Sequence, residues 1–406
     1  MQFTRRDVLK AGAALATFAV ASPRNVWAQG SEEIRMGTLC PITKAGSIFG
    51  PGMQKAMEYA AADINALGGI LGGRKIRLFS EDSQSEPDAA VRAAKKLIEI
   101  NHVETVLGTW SSGVTMAIAP IVMQGKVVNM NVSGTTDLRD MKKDDWIWPV
   151  GGSNISYGNM MGTYAVKQGY KKASFLAFNN PSGLTLGEEF KRVFEKAGGT
   201  CEVIVYNPNQ PSYRAELTRA LASKPEVIAL GSYLPDTTIL LKEWYVMDQP
   251  VKWIGPIWAV SPALIQAVGK EASEGIVSIG AVPNIDSPAY ARFQERYEAE
   301  MKQKVLANPF AAVAYDMLVT CALAMEASGS SKAEDFRKKI REVSSPPGKK
   351  VFGLDEALKA VRAGEKIDYE GIGGNMDFDE TGEARPYFAS WVAENGELVL
   401  KGRVDG

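Results

Sequence analysis

Few side chains in this sequence have the types and spacing that bond-making chemistry needs. One histidine occurs in 406 residues. It is His102, in Ile100-Asn101-His102-Val103-Glu104, which reads as the turn between a helix and a strand. A Ser-His-Asp triad or a histidine-based metal site would both have to use it. Cys40, Cys201 and Cys321 lie far apart, with no C-x-x-C, and an odd count leaves a thiol over. They read as three small buried hydrophobes. Gly68-Gly69-Ile70-Leu71-Gly72-Gly73 is not a dinucleotide fingerprint, and no phosphate-binding G-x-x-x-x-G-K-[ST] occurs. Ser111-Ser112 lacks the flanking glycines of a nucleophile elbow. No enzyme, no cofactor and no metal are therefore expected. What the chain offers is donors. Trp110-Ser111-Ser112 follows a short apolar strand and opens a helix. Backbone N–H groups at a helix start, with the macrodipole and two hydroxyls, make a seat for a carboxylate. On the residues alone, capping of their own helix is the first reading of these serines. Ser133-Gly134-Thr135 ends the next strand, and it also reads as a turn before a helix near Asp137.

The elements that must position these loops alternate strand and helix almost throughout. That pattern argues for α/β architecture, with parallel sheets covered by helices. Strands are expected over 34–39, 75–80, 105–108 and 127–132, with helices over 52–67, 87–100 and 112–123 between them. Met53, Ala56, Met57, Ala60 and Ile64 share one face of the first helix. A second run begins near Pro149. Helices are expected over 157–169, 186–197, 213–222 and 236–247, with strands over 172–178, 201–206, 227–230 and 251–254. The halves look like coarse copies of one plan. A long apolar helix follows over 309–329, then a mixed polar stretch over 349–374. Strands near 376–378, over 387–393 and at the end of the chain complete the pattern.

The first 28 residues read as an export signal. Arg5 and Arg6 precede an apolar run from Val8 to Ala21, and Val26-Trp27-Ala28 is a small-x-small cleavage site before Gln29. Thr4-Arg5-Arg6-Asp7-Val8-Leu9-Lys10 resembles the twin-arginine signal. An ordinary basic n-region is the alternative, and either one exports the chain to the periplasm. No cysteine follows the cleavage site, so no lipid anchor is expected. The remaining 378 residues exceed what one core usually spans, so two domains are expected. With 46 Lys and Arg against 47 Asp and Glu, and four of the basic residues inside the signal, the exported chain is mildly acidic. It has no basic stripe suited to nucleic acid. No further run of about 18 apolar residues is evident, so the exported chain reads as soluble.

Several ordered motifs together resemble the branched-chain-amino-acid-type periplasmic binding proteins of ABC transporters, across essentially the whole exported chain. They are Asp63-Ile64-Asn65 running to Ile76 through Gly68-Gly69-Ile70-Leu71-Gly72-Gly73, then Asp82-Ser83-Gln84-Ser85-Glu86-Pro87, Gly108-Thr109-Trp110-Ser111-Ser112, Ser133-Gly134-Thr135-Thr136-Asp137-Leu138, Gly231-Ser232-Tyr233-Leu234-Pro235-Asp236 and Phe378-Asp379-Glu380-Thr381-Gly382. The resemblance implies a type I fold. Its two Rossmann-like lobes have mostly parallel sheets and are joined by three crossing segments. Lobe one would take residues 32–148 plus 281–385, and lobe two residues 149–280 plus 386–406. It implies a monomer with a small-molecule ligand, an amino acid or related carboxylate, and permease subunits as membrane partners. An exported sensor is the alternative use of such a fold.

In relatives the loops matching Trp110-Ser111-Ser112 and Ser133-Gly134-Thr135 hold the ligand carboxylate, and the loop containing Lys44 faces the cleft. Phe49 stands where a Tyr is common. Gly255-Pro256-Ile257-Trp258 stands where amino-acid-binding relatives place a Glu against the ligand ammonium, and Ile257 cannot neutralise one. Gly183-Leu184-Thr185-Leu186-Gly187 likewise stands where a Tyr is frequent. Expected walls are Phe49, Trp110, Tyr233 and Trp258, with Lys44, Ser111, Ser112, Ser133 and Thr135 as polar contacts. Trp146 and Trp148 read as packing. Two ligand classes remain open: an acid without an α-ammonium, aliphatic or aromatic, or an amino acid whose ammonium meets an anion from elsewhere, such as Asp236.

Overall fold

A computed structural model describes residues 33–404, apart from 137, 139–143, 380, 381, 383 and 385. The expected export signal lies outside the described residues, as do Asp137, Arg385 and part of the last motif. The first half builds a five-stranded parallel sheet. Strands β1 (Ile34–Cys40), β2 (Ile76–Asp82), β3 (Thr105–Thr109), β4 (Val128–Asn131) and β5 (Ile147–Pro149) lie in the order β2-β1-β3-β4-β5. Helices α1 (Gly50–Ala66), α2 (Pro87–Lys95) and α3 (Ser112–Gln124) connect them. These are the expected elements except β5, which the sequence pattern does not mark, and two helices differ in detail. The second helix changes to one π turn over Lys96–Ile100. Helix α1 starts two residues early, because Pro51 suits a first turn, where no N–H is needed. The first motif forms the link from α1 to β2. The Asn65 side chain brackets Ile76, donating to its carbonyl (2.9 Å) and accepting from its N–H (2.8 Å). Gly69 has φ +80°, and a Cβ there would sit 2.2 Å from the Arg74 carbonyl oxygen.

The second sheet has seven strands, in the order β14-β13-β10-β9-β8-β6-β7. They are β6 (Lys172–Phe178), β7 (Thr200–Tyr206), β8 (Val227–Gly231), β9 (Lys252–Pro256), β10 (Val277–Val282), β13 (Tyr387–Glu394) and β14 (Glu397–Arg403). The pairs β10–β13 and β13–β14 are antiparallel and the rest parallel, so both sheets are mostly parallel, as expected. Helices α4 (Asn154–Lys167), α5 (Pro181–Lys196), α6 (Arg214–Ala222), α7 (Leu234–Met247), α8 (Pro262–Val268) and the short α9 (Lys270–Ser273) accompany it. Helix α4 begins three residues before the sequence pattern suggests, because the Ser153 side chain caps it, accepting from Ser156 N–H at 3.2 Å.

The chain then returns to the first sheet's side through α10 (Pro288–Met301) and α11 (Pro309–Ser328), which packs on α1. Every residue from Pro309 to Met325 is buried. This helix is long and apolar enough to cross a membrane by length and composition, which the sequence reading passed over, yet it is a core helix here. Short helices α12 (Ala333–Phe336) and α13 (Ile340–Ser344) follow. The stretch that looked mixed and polar is ordered as β11 (Lys349–Phe352), α14 (Leu354–Arg362) and β12 (Ile367–Glu370), with β11 and β12 paired in parallel. Asp316, within α11, is fully buried. It accepts from Tyr369 O–H (2.9 Å), Ile372 N–H (3.0 Å) and Gly373 N–H (2.7 Å). Burial pushes its carboxyl up to about 7, against those hydrogen bonds.

The chain passes between the two sheets after β5, after β10 and before β13. These passages are tied to one another. Asn284 N–H donates to the Ile372 carbonyl (3.1 Å), and Ala384 N–H to that of Pro149 (3.2 Å). The Trp148 ring meets Phe378 edge-on at 4.8 Å. Trp146 and Trp148 are both buried.

Candidate functional site between the two sheets

Parallel strands present their following loops at one end, and ligands of such sheets bind outside those carboxyl ends. Here the loops after β3, β4, β6, β8 and β9 and the start of α4 converge from both sheets. Trp110, Ser112, Val132, Gly134, Gly152, Asn154, Tyr157, Ser182, Tyr233, Trp258 and Phe310 surround a cavity of about 20 Å³, so the two walls are closed upon each other. Larger hollows of about 380 and 660 Å³ lie elsewhere, but neither includes the serine loops or Trp258.

The walls touch at several points. Trp110, after β3, packs on Tyr233, after β8, with centroids 4.9 Å apart. Asn154 N–H donates to the Gly134 carbonyl at 2.6 Å. Gly134 permits that approach, since a Cβ there would lie 2.3 Å from Asn154 Oδ1. Tyr233 also packs on Phe178 at 4.6 Å, and Trp110 on Phe49 at 5.8 Å, so aromatic rings run from one sheet to the other. Burial raises the Tyr233 phenol, while hydrogen bonds with Ser111 and Asn180 oppose the rise.

The expected residues fall into three groups. Trp110, Ser112, Tyr233 and Trp258 line the cavity. Ser111, Ser133 and Thr135 are buried in the same two loops, beside it in the chain. Phe49 and Lys44 stand apart. Phe49 is fully buried behind Trp110 and meets Phe310 at 5.2 Å, so it supports the wall without lining it. Lys44 is exposed and pairs with Glu86 at 3.6 Å. Its loop is held there by Asp82, which accepts from Ile42 N–H (2.9 Å) and Thr43 O–H (2.6 Å). Ser111 is the N-cap of α3, yet its side chain makes no capping hydrogen bond, so the capping alternative is not realised.

Asn154, Tyr157 and Ser182 are additions that the sequence reading missed. Asn154 Oδ1 accepts from Ser182 O–H at 3.1 Å. Tyr157 O accepts from Ala281 N–H at 3.3 Å, and its ring meets Trp258 at 4.5 Å and Phe388 at 4.7 Å. The available signal was a Ser-Asn pair after two glycines, and a Pro-Ser pair after two asparagines, each opening a helix.

Ser133 Oγ, Asn154 Nδ2 and Trp258 Nε1 are buried without a hydrogen-bond partner. No charged side chain lines the cavity among the described residues. Asp236, considered as an anion for a ligand ammonium, is committed elsewhere. It accepts from Tyr213 O–H (2.7 Å) and Asn209 N–H (3.1 Å), and burial raises its carboxyl against those bonds.

Two mostly parallel α/β sheets are thus linked by three passages, with polar loops of both facing each other across one cavity. The chain belongs to the periplasmic binding protein family, whose model matches residues 33–383. It is 24% identical over 330 residues to the Leu/Ile/Val-binding protein BraC3 of Rhizobium johnstonii, covering 79% of this chain and 88% of the relative. The fold superposes on the leucine binding protein LivK of Thermotoga maritima with a TM-score of 0.79 at 21% identity, covering 92% of this chain and 99% of that one. It also superposes on an R. palustris solute binding protein of an ABC transporter, solved with benzoate, with a TM-score of 0.75 at 18% identity, covering 92% and 96%. The likeness to branched-chain-amino-acid-type binding proteins, drawn from the ordered motifs, is borne out.

Proposed function

We propose that this protein is an exported, monomeric solute receptor of an ABC importer and captures a small carboxylate without an α-ammonium. Residues 32–148 with 281–385 act as one lobe, and 149–280 with 386–406 as the other. The observation that carries this reading is the cavity between the sheets, with unpartnered donors of Asn154 and Trp258 on its second wall, the unpartnered Ser133 hydroxyl buried beside its first, and no charged lining residue among those described. An ammonium buried there would lack the anion that a buried charge needs. A carboxylate would receive Ser112 and Ser133 from the first wall, beside the start of α3. Charge-assisted hydrogen bonds contribute about 1.5–3 kcal/mol each. Two or three of them with a buried apolar body suffice for micromolar affinity, about −8 kcal/mol. The benzoate-bound neighbour supports the reading in one respect, since benzoate is an acid with no ammonium. The lobes part to admit ligand, and a ligand bonded to both favours the closed form by population shift. Permease subunits in the membrane would read that closure.

A thermal-shift screen of the purified exported protein, against amino acids and against aliphatic and aromatic acids, tests the ligand class. A ligand that binds the folded state raises apparent stability by mass action. Ammonium-free acids are expected to shift the melt, and Ser112→Ala with Ser133→Ala to weaken them tenfold or more without unfolding the protein. A shift by leucine, isoleucine or valine alone would overturn the ammonium-free assignment. Unchanged titrations for the double variant would remove the carboxylate seat.

A further inference from the structure

The two walls meet a ligand with different groups, and the second wall has the more restrictive chemistry. Trp258 follows β9 at the position where the resemblance leads one to expect a carboxylate nearby. Its side chain is buried, it lines the cavity, and its Nε1–H has no partner. An indole N–H can only donate; no rotation or proton shift makes it an acceptor. Asn154 stands at the first turn of α4 on the same cavity. Its Oδ1 is occupied by Ser182 O–H at 3.1 Å, which leaves Nδ2 as the unpartnered atom. The second wall therefore offers two buried donors. A buried donor left unmade costs about 1–3 kcal/mol, so the closed state gains most from a guest that brings acceptors to both. An ammonium brings donors only.

We infer that the ligand carries an uncharged acceptor oxygen on the carbon next to its carboxylate, as in a 2-oxo acid, placed where an amino acid has its ammonium. The carboxylate lies against the first wall and the carbonyl oxygen, with two lone pairs, accepts from Trp258 Nε1–H and Asn154 Nδ2–H. This deepens the proposed function and rests on it, because it presumes the carboxylate seat at Ser112 and Ser133.

The test compares matched skeletons. Three sets are titrated calorimetrically: pyruvate, alanine and propionate; 4-methyl-2-oxopentanoate, leucine and 4-methylpentanoate; phenylpyruvate, phenylalanine and 3-phenylpropionate. In at least one set the 2-oxo acid is expected to bind tenfold or more tighter than both its amino and its plain counterpart. Trp258→Phe should collapse the preference for the oxo over the plain acid to under threefold. Where that variant fails to fold, Asn154→Ala provides the same comparison. Plain acids binding as tightly as their oxo partners would overturn the inference and leave the carboxylate-binding function standing. So would a preference that survives both variants. Amino acids binding tightest would overturn the inference together with the ammonium-free assignment. No binding in any set would overturn the inference and the carboxylate seat alike.

Discussion

The cleft and the return segment around β12 treat buried charge in opposite ways. No charged side chain lines the cleft among the described residues, and three polar atoms there lack partners. The return segment gathers carboxylates instead. Asp316 is fully buried, Asp368 and Glu370 nearly so, and Asp377 stands beside Asp368. Burial, with the charge of Asp377 added, pushes Asp368 up to about 6. Lys350 pairs with Glu370 and lies 3.8 Å from Asp368. Asp316 is satisfied by Tyr369 and the Ile372–Gly373 backbone, whereas Asp368 and Asp377 each keep one carboxylate oxygen without a hydrogen-bond partner, so this chain buries acids even where it does not fully satisfy them. Their absence from the cleft is a property of that site and not an intolerance of the fold.

The largest expected effect comes from breaking the approach of the two walls. Gly134→Ala places a Cβ 2.3 Å from Asn154 Oδ1 and 2.9 Å from Asn154 N. Ligand affinity is expected to fall a hundredfold or more while the melting temperature stays within a few degrees, by calorimetry and thermal denaturation. Unaltered binding would show that these loops need not meet. The return segment should respond in stability and not in binding. The raised pKa of Asp368 means that its stabilising contribution is complete below about pH 4, the unfolded value, and is lost as pH rises through about 6. Asp368→Asn is therefore expected to add stability at pH 8, at most about 3 kcal/mol and less where solvent screens the carboxylate, and to flatten the stability profile between pH 4 and 6. Urea denaturation across pH checks this, and an unchanged slope would mean that the pair does not resist ionisation. The smallest effect is that of Lys44→Ala. An exposed pair such as Lys44–Glu86 contributes about 0–1 kcal/mol. Affinity is expected to change less than twofold, and a tenfold loss would place Lys44 in the open cleft's ligand shell.

The same two regions differ in how far the sequence reveals them. The first wall is legible because a short buried strand, two serines and an apolar helix follow one another within twenty residues. Trp258 and Tyr233 were reached through the family motifs. Asn154, Tyr157 and Ser182 were not, because their side-chain types are ordinary at helix starts and only the fold brings them together. Lys44 was placed in the cleft by resemblance, whereas the Asp82 hydrogen bonds hold its loop so that it meets Glu86. The return segment stayed opaque for another reason. Strands of four residues, Lys349–Phe352 and Ile367–Glu370, are too short to show alternation, and Asp368 and Glu370 lie in a stretch that reads as mixed and polar although the fold buries both.

Helix α11 bears on how such a chain can be moved across a membrane. Threaded through a channel unfolded, its twenty largely apolar residues would be sampled by the bilayer as a possible span. Asp316 sits near the middle of that stretch, where a carboxylate costs about 2.5–3.5 kcal/mol on insertion scales. The acid that fastens Ile372 and Gly373 in the folded protein would thus discourage the helix from lodging in lipid. A chain that folds before it is carried across never presents the segment at all.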